Sequence, residues 1–249
     1  MYKELLLFPE VLKGQQIYPE DARSLVAKAC DGRSIDPAIF ARGPDGKTLQ
    51  GRYGDDRKGE GFGLPPSIIF DGGNGFIRIY GIGKSGTDLL AEHTASIVTA
   101  LSKHLGGPYR MEFKHGDCEL QMSEPILYSI RKLIVSKKPA KLSHFFGVTA
   151  QERAPEIKKE ILNGLISMAR WLDEDLGTPH LLEHGIPSDD SLILDILEGE
   201  SVPIPIKPGI PAAAFKNITF CTNISLNGPW MAGKLRSRGY GLIRRRIER

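Results

Sequence analysis

Three cysteines, Cys30, Cys118 and Cys221, are all that the 249 residues hold; they lie far apart, are odd in number and form no Cys-x-x-Cys unit. That argues against a disulfide framework and against a cysteine zinc site, and points to a reduced, cytoplasmic protein. No run of about 18 apolar residues occurs, which excludes an ordinary transmembrane helix, so no membrane partner is expected. The opening Met1–Pro9 is too briefly apolar for a signal peptide and reads as a strand. Internal repeats and low-complexity tracts are missing. A surplus of one charge is missing too, the formal net charge being +3. With 41% hydrophobic and 25% charged residues, disorder is not expected, and the length allows one large core or two modest ones.

What the net charge hides, its distribution reveals. Lys216, Lys234, Arg236, Arg238, Arg244, Arg245, Arg246 and Arg249 face a single acid, Glu248, so the last stretch carries +7 and the rest of the chain −4. A local positive field on an otherwise slightly acidic protein is the footprint of a phosphate-backbone binder, although charge runs also occur as solvated strands.

Along the chain, residues 2–8 predict a strand. Pro19, Glu20 and Asp21 predict the first turn of a helix, with Ala22, Leu25, Val26 and Ala29 inward and Gly32 as its stop. Arg23, Ser24 and Lys28 then lie off the apolar stripe, toward solvent or a ligand. Residues 33–65, rich in Gly, Arg and Asp, read as a long loop or small inserted element. Ser67–Asp71, then Gly-Gly-Asn-Gly, then Phe76–Tyr80 predicts a hairpin. A helix from about Thr87 to Leu105 follows, then a strand pair at Tyr109–Lys114 and Cys118–Met122. The order strand, helix, strand, strand, helix, strand is the ferredoxin-like arrangement that RNA-recognition domains use. Beyond it come a strand at Ile126–Val135 and a helix at Pro155–Asp173. Thr149 and Glu152 suggest a capping box, whereas Pro155 prefers the first turn, so the start of that helix stays open. Val202–Pro208 is an extended connector or edge strand, Ala214–Leu226 a strand and Leu242–Ile247 the closing strand. The fold class is α+β: two ferredoxin-like halves, 1–123 and 124–249, with helical insertions and a C-terminal glycine-rich loop.

The densest motif is Gly233-Lys-Leu-Arg-Ser-Arg-Gly-Tyr-Gly241. Gly233, Gly239 and Gly241 allow a backbone to approach phosphates. Lys234, Arg236 and Arg238 add charge, the arginines as forked donors, and Tyr240 offers a ring to a base. Arg244, Arg245 and Arg246 extend the basic surface. A tight loop with solvated charges is the plainer alternative. Two other matches fail. Gly81-Ile-Gly-Lys-Ser-Gly86 lacks the early glycine of a P-loop, Arg78 standing there. Arg236–Gly241 fits a coenzyme A-binding pattern, but no helix and further strands can follow it. Among His93, His104, His115, His144, His180 and His184, only His180 and His184 have ligand spacing, and no third ligand is near. Neither metal nor cofactor is expected.

A C-terminal strand, a glycine-rich loop with interspersed Arg and Lys (Gly228–Gly241) and a final strand, after a ferredoxin-like half, resemble the RAMP superfamily of CRISPR-associated proteins. The length resembles its CRISPR-RNA-processing endoribonucleases, most of all those of type IV systems. The resemblance implies metal-independent cleavage of CRISPR precursor RNA within the repeat by the 2′-hydroxyl, retention of the mature guide RNA, and partner subunits of an effector complex. Family members often take acid, base and charge from the first helix, including a histidine. Here that helix offers Tyr18, Arg23, Ser24 and Lys28 and no histidine. The resemblance therefore puts charge stabilisation on Arg23 and acid–base work on Tyr18, with Arg42 as a catalytic helper and Arg52 toward the RNA. The alternative is a non-catalytic RAMP subunit that grips the guide-RNA end.

Overall fold

The apolar run Leu5-Leu6-Leu7 becomes the buried middle of a central strand, β1 (Tyr2–Pro9), in the computed structural model of the protein. The structure describes residues 1–42, 65–107, 109–136, 147–177, 181, 185–187, 191–207 and 210–246. Its contacts divide the chain into two units, Met1–Asp117 with Ser237–Gly239, and Cys118–Arg236 with Tyr240–Arg249.

In the first unit β1 is followed by α1 (Pro19–Ala29), a 3-10 turn (Pro37–Phe40), β2 (Ile68–Gly73), β3 (Phe76–Ile82), α2 (Gly83–Leu105) and β4 (Tyr109–Gly116). The antiparallel sheet has the order β2-β3-β1-β4. Leu5, Leu7, Ile77 and Ile79 point from it into a core that Val26 of α1 and Leu90, Ile97 and Leu101 of α2 complete. The start of α1 follows its sequence signals: Pro19 opens the first turn, Glu20 and Asp21 meet the positive end of the helix dipole, and Gly32 lies beyond the end at φ +68°. Asn74-Gly75 turns the β2–β3 hairpin, with Gly75 at φ +76°. Helix α2 starts at Gly83 rather than near Thr87. Close packing explains this: a Cβ on Gly86 would lie 2.2 Å from the Ser67 carbonyl oxygen, and one on Gly81 2.3 Å from that of Gly86. The glycines of that turn bring helix and strand together.

The second unit holds β5 (Glu119–Ser136), α3 (Ala154–Leu176), β6 (Leu194–Lys207), β7 (Ile210–Asn227), β8 (Trp230–Met231) and β9 (Leu242–Arg245). Its sheet order is β6-β7-β5-β9-β8, again antiparallel. One expectation is corrected here. Cys118–Met122 does not pair with Tyr109–Lys114; β4 pairs with β1, and Glu119–Met122 is the first part of β5, pairing with β7. Pro125 does not end the strand; the register shifts between Met122 and Ile126 and pairing resumes. The proline-rich segment is the last part of the edge strand β6, the position in a sheet where prolines are tolerated. Both signals at the start of α3 are used. Thr149 N and Oγ1 donate to Glu152 Oε2 at 2.6 and 2.9 Å, closing a turn, and α3 begins after it with Pro155 in its first turn. Ile157, Ile161, Leu165, Met168 and Leu172 form the buried face of α3.

The run β6-β7-β5-β9 repeats, strand for strand, the order β2-β3-β1-β4. Where the first unit places α2 between its third and fourth strands, the second has Gly228–Gly241, with the short strand β8 and a 3-10 turn at Arg236–Arg238.

Candidate nucleic-acid interface

Residue Tyr18 is the exposed N-cap of α1 and Arg23 sits one turn further on. Sequence alone put Arg23 off the apolar stripe, toward solvent or a ligand. It is half-buried, because the 3-10 turn Pro37–Phe40 folds back beside α1: Arg23 Nη2 donates to the Phe40 carbonyl oxygen at 2.8 Å. Asp36 starts that turn by accepting from the Ala38 amide at 2.7 Å. The Phe40 ring stacks on Phe70 of β2, centroids 5.8 Å apart. The turn ends at Ala41 in the left-handed region, φ +53°, which sends the chain on to exposed Arg42. Among the described residues Arg23 Nε, also buried, has no acceptor.

Into the same unit come Ser237–Gly239. Gly239 is pressed on the first turn of α1; a Cβ there would lie 2.8 Å from Pro19 Cβ, and its φ is +89°. Exposed Arg238 is thereby set near Arg23. Burial, then the charges of Arg42 and Arg238, hold the Arg23 guanidinium below its ordinary pKa. Such a concentration of like charge, which costs stability in the free protein, is a ready counter-charge for an anion.

Other residues of the C-terminal segment have packing partners. Gly241, at φ +84°, passes so near Ala232 that a Cβ would lie 1.8 Å from its carbonyl oxygen. A Cβ on Gly233 would lie 2.5 Å from Leu133 Cδ1. The Lys234 ammonium donates to the Val135 carbonyl at 2.9 Å and is ion-paired with Glu160 of α3. Arg236 donates to Ser167 Oγ at 3.2 Å. Tyr240 packs, half-buried, against the cluster of Ile134, Ile204, Ala212 and Ala214. Arg244 and Arg245 are exposed on β9, and Arg246 Nη1 donates to Thr219 Oγ1 at 2.9 Å. Arg52, His144, His180 and His184 lie outside the described residues. Among the described residues no three His, Cys, Asp or Glu side chains group as metal ligands, and no helix is long and apolar enough to cross a membrane.

The structure thus sets Arg238, through Gly239, by the first turn of the helix that carries Arg23, and ties Lys234 and Arg236 to α3. Sequence reasoning missed the partners: Phe40, whose carbonyl orients Arg23, and Glu160 and Ser167. The pair Asp36-Pro37 was the available signal, a capping residue before a first-turn proline.

A family profile described as Type IV CRISPR-associated endonuclease Csf5 matches residues 1–247. No curated protein sequence matches the chain. The solved structure titled Csf5, CRISPR-Cas type IV Cas6 crRNA endonuclease, is similar at a TM-score of 0.68 with 17% identity, over 99% of this chain and 100% of that one. A crystal structure of Cas6b gives a TM-score of 0.56 with 15% identity, over 98% of each chain. A second Cas6b structure, titled CRISPR RNA processing endoribonuclease, gives 0.57 at 15% identity, over 98% of this chain and 100% of that one. At such identities these structures speak to the fold, a Cas6-like α+β arrangement in which two antiparallel sheets and the helices α1, α2 and α3 are seen among the described residues.

Proposed function

The chain belongs to the type IV CRISPR-associated endonuclease Csf5 family, a Cas6-like branch of the RAMP superfamily, and from that premise we propose that it cuts CRISPR precursor RNA within the repeat without a metal and keeps the mature guide RNA. The observation that carries the mechanism is half-buried Arg23, held by the Phe40 carbonyl oxygen on the helix whose first turn Gly239, the neighbour of Arg238, presses against.

The reaction needs no external nucleophile. The 2′-hydroxyl upstream of the scissile phosphate attacks phosphorus, its proton leaves, and the 5′-oxygen departs with a proton. The products are a 2′,3′-cyclic phosphate and a free 5′-hydroxyl. Between them lies a phosphorane with extra negative charge, and fixed cations in a partly buried site favour it over the ground state. Arg23, held by the Phe40 carbonyl, supplies that charge, with Arg42 and Arg238 beside it. Tyr18, at the exposed start of the same helix, is the acid–base candidate. Arg52, Arg244, Arg245 and Arg246, with the segment from Gly233 to Gly241, contribute to RNA binding. The same reading treats the chain as two ferredoxin-like halves, 1–123 and 124–249, supported by their repeated strand order. Other subunits of an effector complex are the expected protein partners.

The absence of histidine from Pro19–Ala29 favours a second reading, a subunit that grips the guide RNA without cutting. One experiment separates the two. The protein is incubated with a stem-loop repeat RNA in excess EDTA and the product ends are read. The nuclease reading expects one cut, with a cyclic phosphate upstream and a 5′-hydroxyl downstream. Binding without cleavage supports the second reading, and cleavage only with magnesium or manganese means water-mediated hydrolysis.

A further inference from the structure

Strand β4 is the edge of its sheet: it pairs with β1, and among the described residues nothing pairs with its other side. The pleat divides its side chains. Met111 and Phe113 stand opposite Leu7 and Leu5, which point into the core, so they continue the apolar face. The helices make their main contacts with β1, β2 and β3. On β4, Tyr109 reaches α2 by donating its hydroxyl proton to the Val98 carbonyl. Beyond it Met111 and Phe113 are left 46% and 51% exposed. On the other face Glu112 is ion-paired with Arg110 at 3.3 Å and Lys114 at 3.6 Å.

We propose that this edge is a homodimer interface, β4 pairing antiparallel with β4 of a second copy about a two-fold axis at Phe113. Residues opposed across an antiparallel pair share a face, so a two-fold register must centre on a residue. Centred on Phe113, the two phenylalanines meet, Met111 faces His115 of the second copy, and Glu112 faces its Lys114, each twice by symmetry. Centred on Glu112, the glutamates would oppose each other and Arg110 would meet Lys114, and like charges directly opposite are destabilising. Centred on Met111, the charges match but the ladder shrinks from Arg110–Gly116 to Tyr109–Phe113. Charges on an edge strand normally block pairing; the alternation here admits one full-length register. This inference does not depend on the RNA chemistry.

Sedimentation equilibrium of the RNA-free, full-length protein at rising concentration tests it, with the unfolding midpoint of each variant reporting on its fold. The wild type is expected to pass from monomer to dimer mass. Phe113→Asp should be monomeric throughout with its midpoint nearly unchanged. Lys114→Glu places glutamate against glutamate and should weaken dimerisation about tenfold, and Glu112→Lys with Lys114→Glu should restore it. A wild type that is monomeric at every concentration overturns the proposal. So does a dimer indifferent to Phe113→Asp, or a double variant no better than Lys114→Glu alone.

Discussion

Arg23 is held at one nitrogen by the Phe40 carbonyl oxygen and feels the like charges of Arg42 and Arg238, an arrangement that favours a bound anion, in the proposed reaction the phosphorane, over an empty site. Arg23→Ala is expected to slow single-turnover cleavage about a hundredfold or more, since loss of one charge-stabilising donor costs about 3–4 kcal/mol. RNA affinity should fall far less, because other cations share the ground-state contact. Arg23→Lys keeps the charge and loses the planar fork that meets the Phe40 carbonyl, so it should recover only part of the rate. Single-turnover rates beside binding isotherms check both, and a wild-type rate in Arg23→Ala would remove Arg23 from the mechanism. A second arginine has a structural task. Arg78 lies between the rings of Phe76 and Tyr80, 5.0 and 5.7 Å from their centroids. It is ion-paired with Glu4 at 3.0 Å and with fully buried Asp71 at 3.7 Å, and it donates to the Tyr80 hydroxyl at 2.9 Å. Burial pushes the Tyr80 phenol up. Arg78→Met removes the cation that Glu4 and Asp71 share and should cost about 3 kcal/mol of stability, the low end for breaking a buried pair because Arg78 keeps some solvent contact. Urea unfolding measures it, and a loss under 1 kcal/mol would mean that the cluster is screened.

Among the elements, the glycines that sequence reasoning aimed at RNA are also places where backbones nearly touch. Gly239 against Pro19 is the consequential one, because it sets the position of Arg238. Gly239→Ala should slow cleavage about tenfold or more through displacement of Arg238, a loss within the range for a misplaced catalytic group. If that is the route, Arg238→Gln slows cleavage comparably and the double variant adds little. Fully additive losses would separate the two residues. Elements with local signals were legible: the first turn of α1, the Asn74-Gly75 hairpin and the apolar stripe of α3 appear where the pattern puts them. The 3-10 turn at Pro37–Phe40 was hidden in a stretch with one short apolar piece, because its stability comes from Phe70 and α1, remote in sequence. The extent of β5 was hidden as well, since a proline inside a strand reads as a boundary unless a neighbouring strand accommodates the bulge.

At the scale of the whole molecule, the succession of strands and helices along the first unit follows the order read from the sequence. The repeat of its strand order in the second sheet was not legible, because a segment without helical periodicity stands where α2 would. The basic surface follows the same division. Lys234 is tied to Glu160 and the Val135 carbonyl and Arg236 donates to Ser167, so backbone binding should rest more on exposed Arg238, Arg244 and Arg245. Replacing those three by glutamine should weaken binding to unrelated single-stranded RNAs by a similar factor and flatten the salt dependence by up to about 0.7 per lost contact. Lys234→Met should lower stability first, by leaving the half-buried Glu160 unpaired. Titrations at several salt concentrations decide, and an unchanged slope in the triple variant would move the RNA elsewhere.

Residues 237–239 belong by contact to a unit otherwise made from the first 117 residues. Chains are synthesised from the N-terminus at about 5–20 residues per second, and domains generally fold as they emerge. The helix bearing Arg23 can therefore take shape about 10 s before Arg238 has been added. In the reading proposed for the charge cluster, the growing chain has a folded RNA-facing surface but an incomplete catalytic one, at a time when it is tethered beside ribosomal and messenger RNA. The order of translation itself then acts as a brake: a nascent chain stalled before residue 237 is expected to cut repeat RNA about tenfold or more slowly than one in which Ser237–Gly239 has docked.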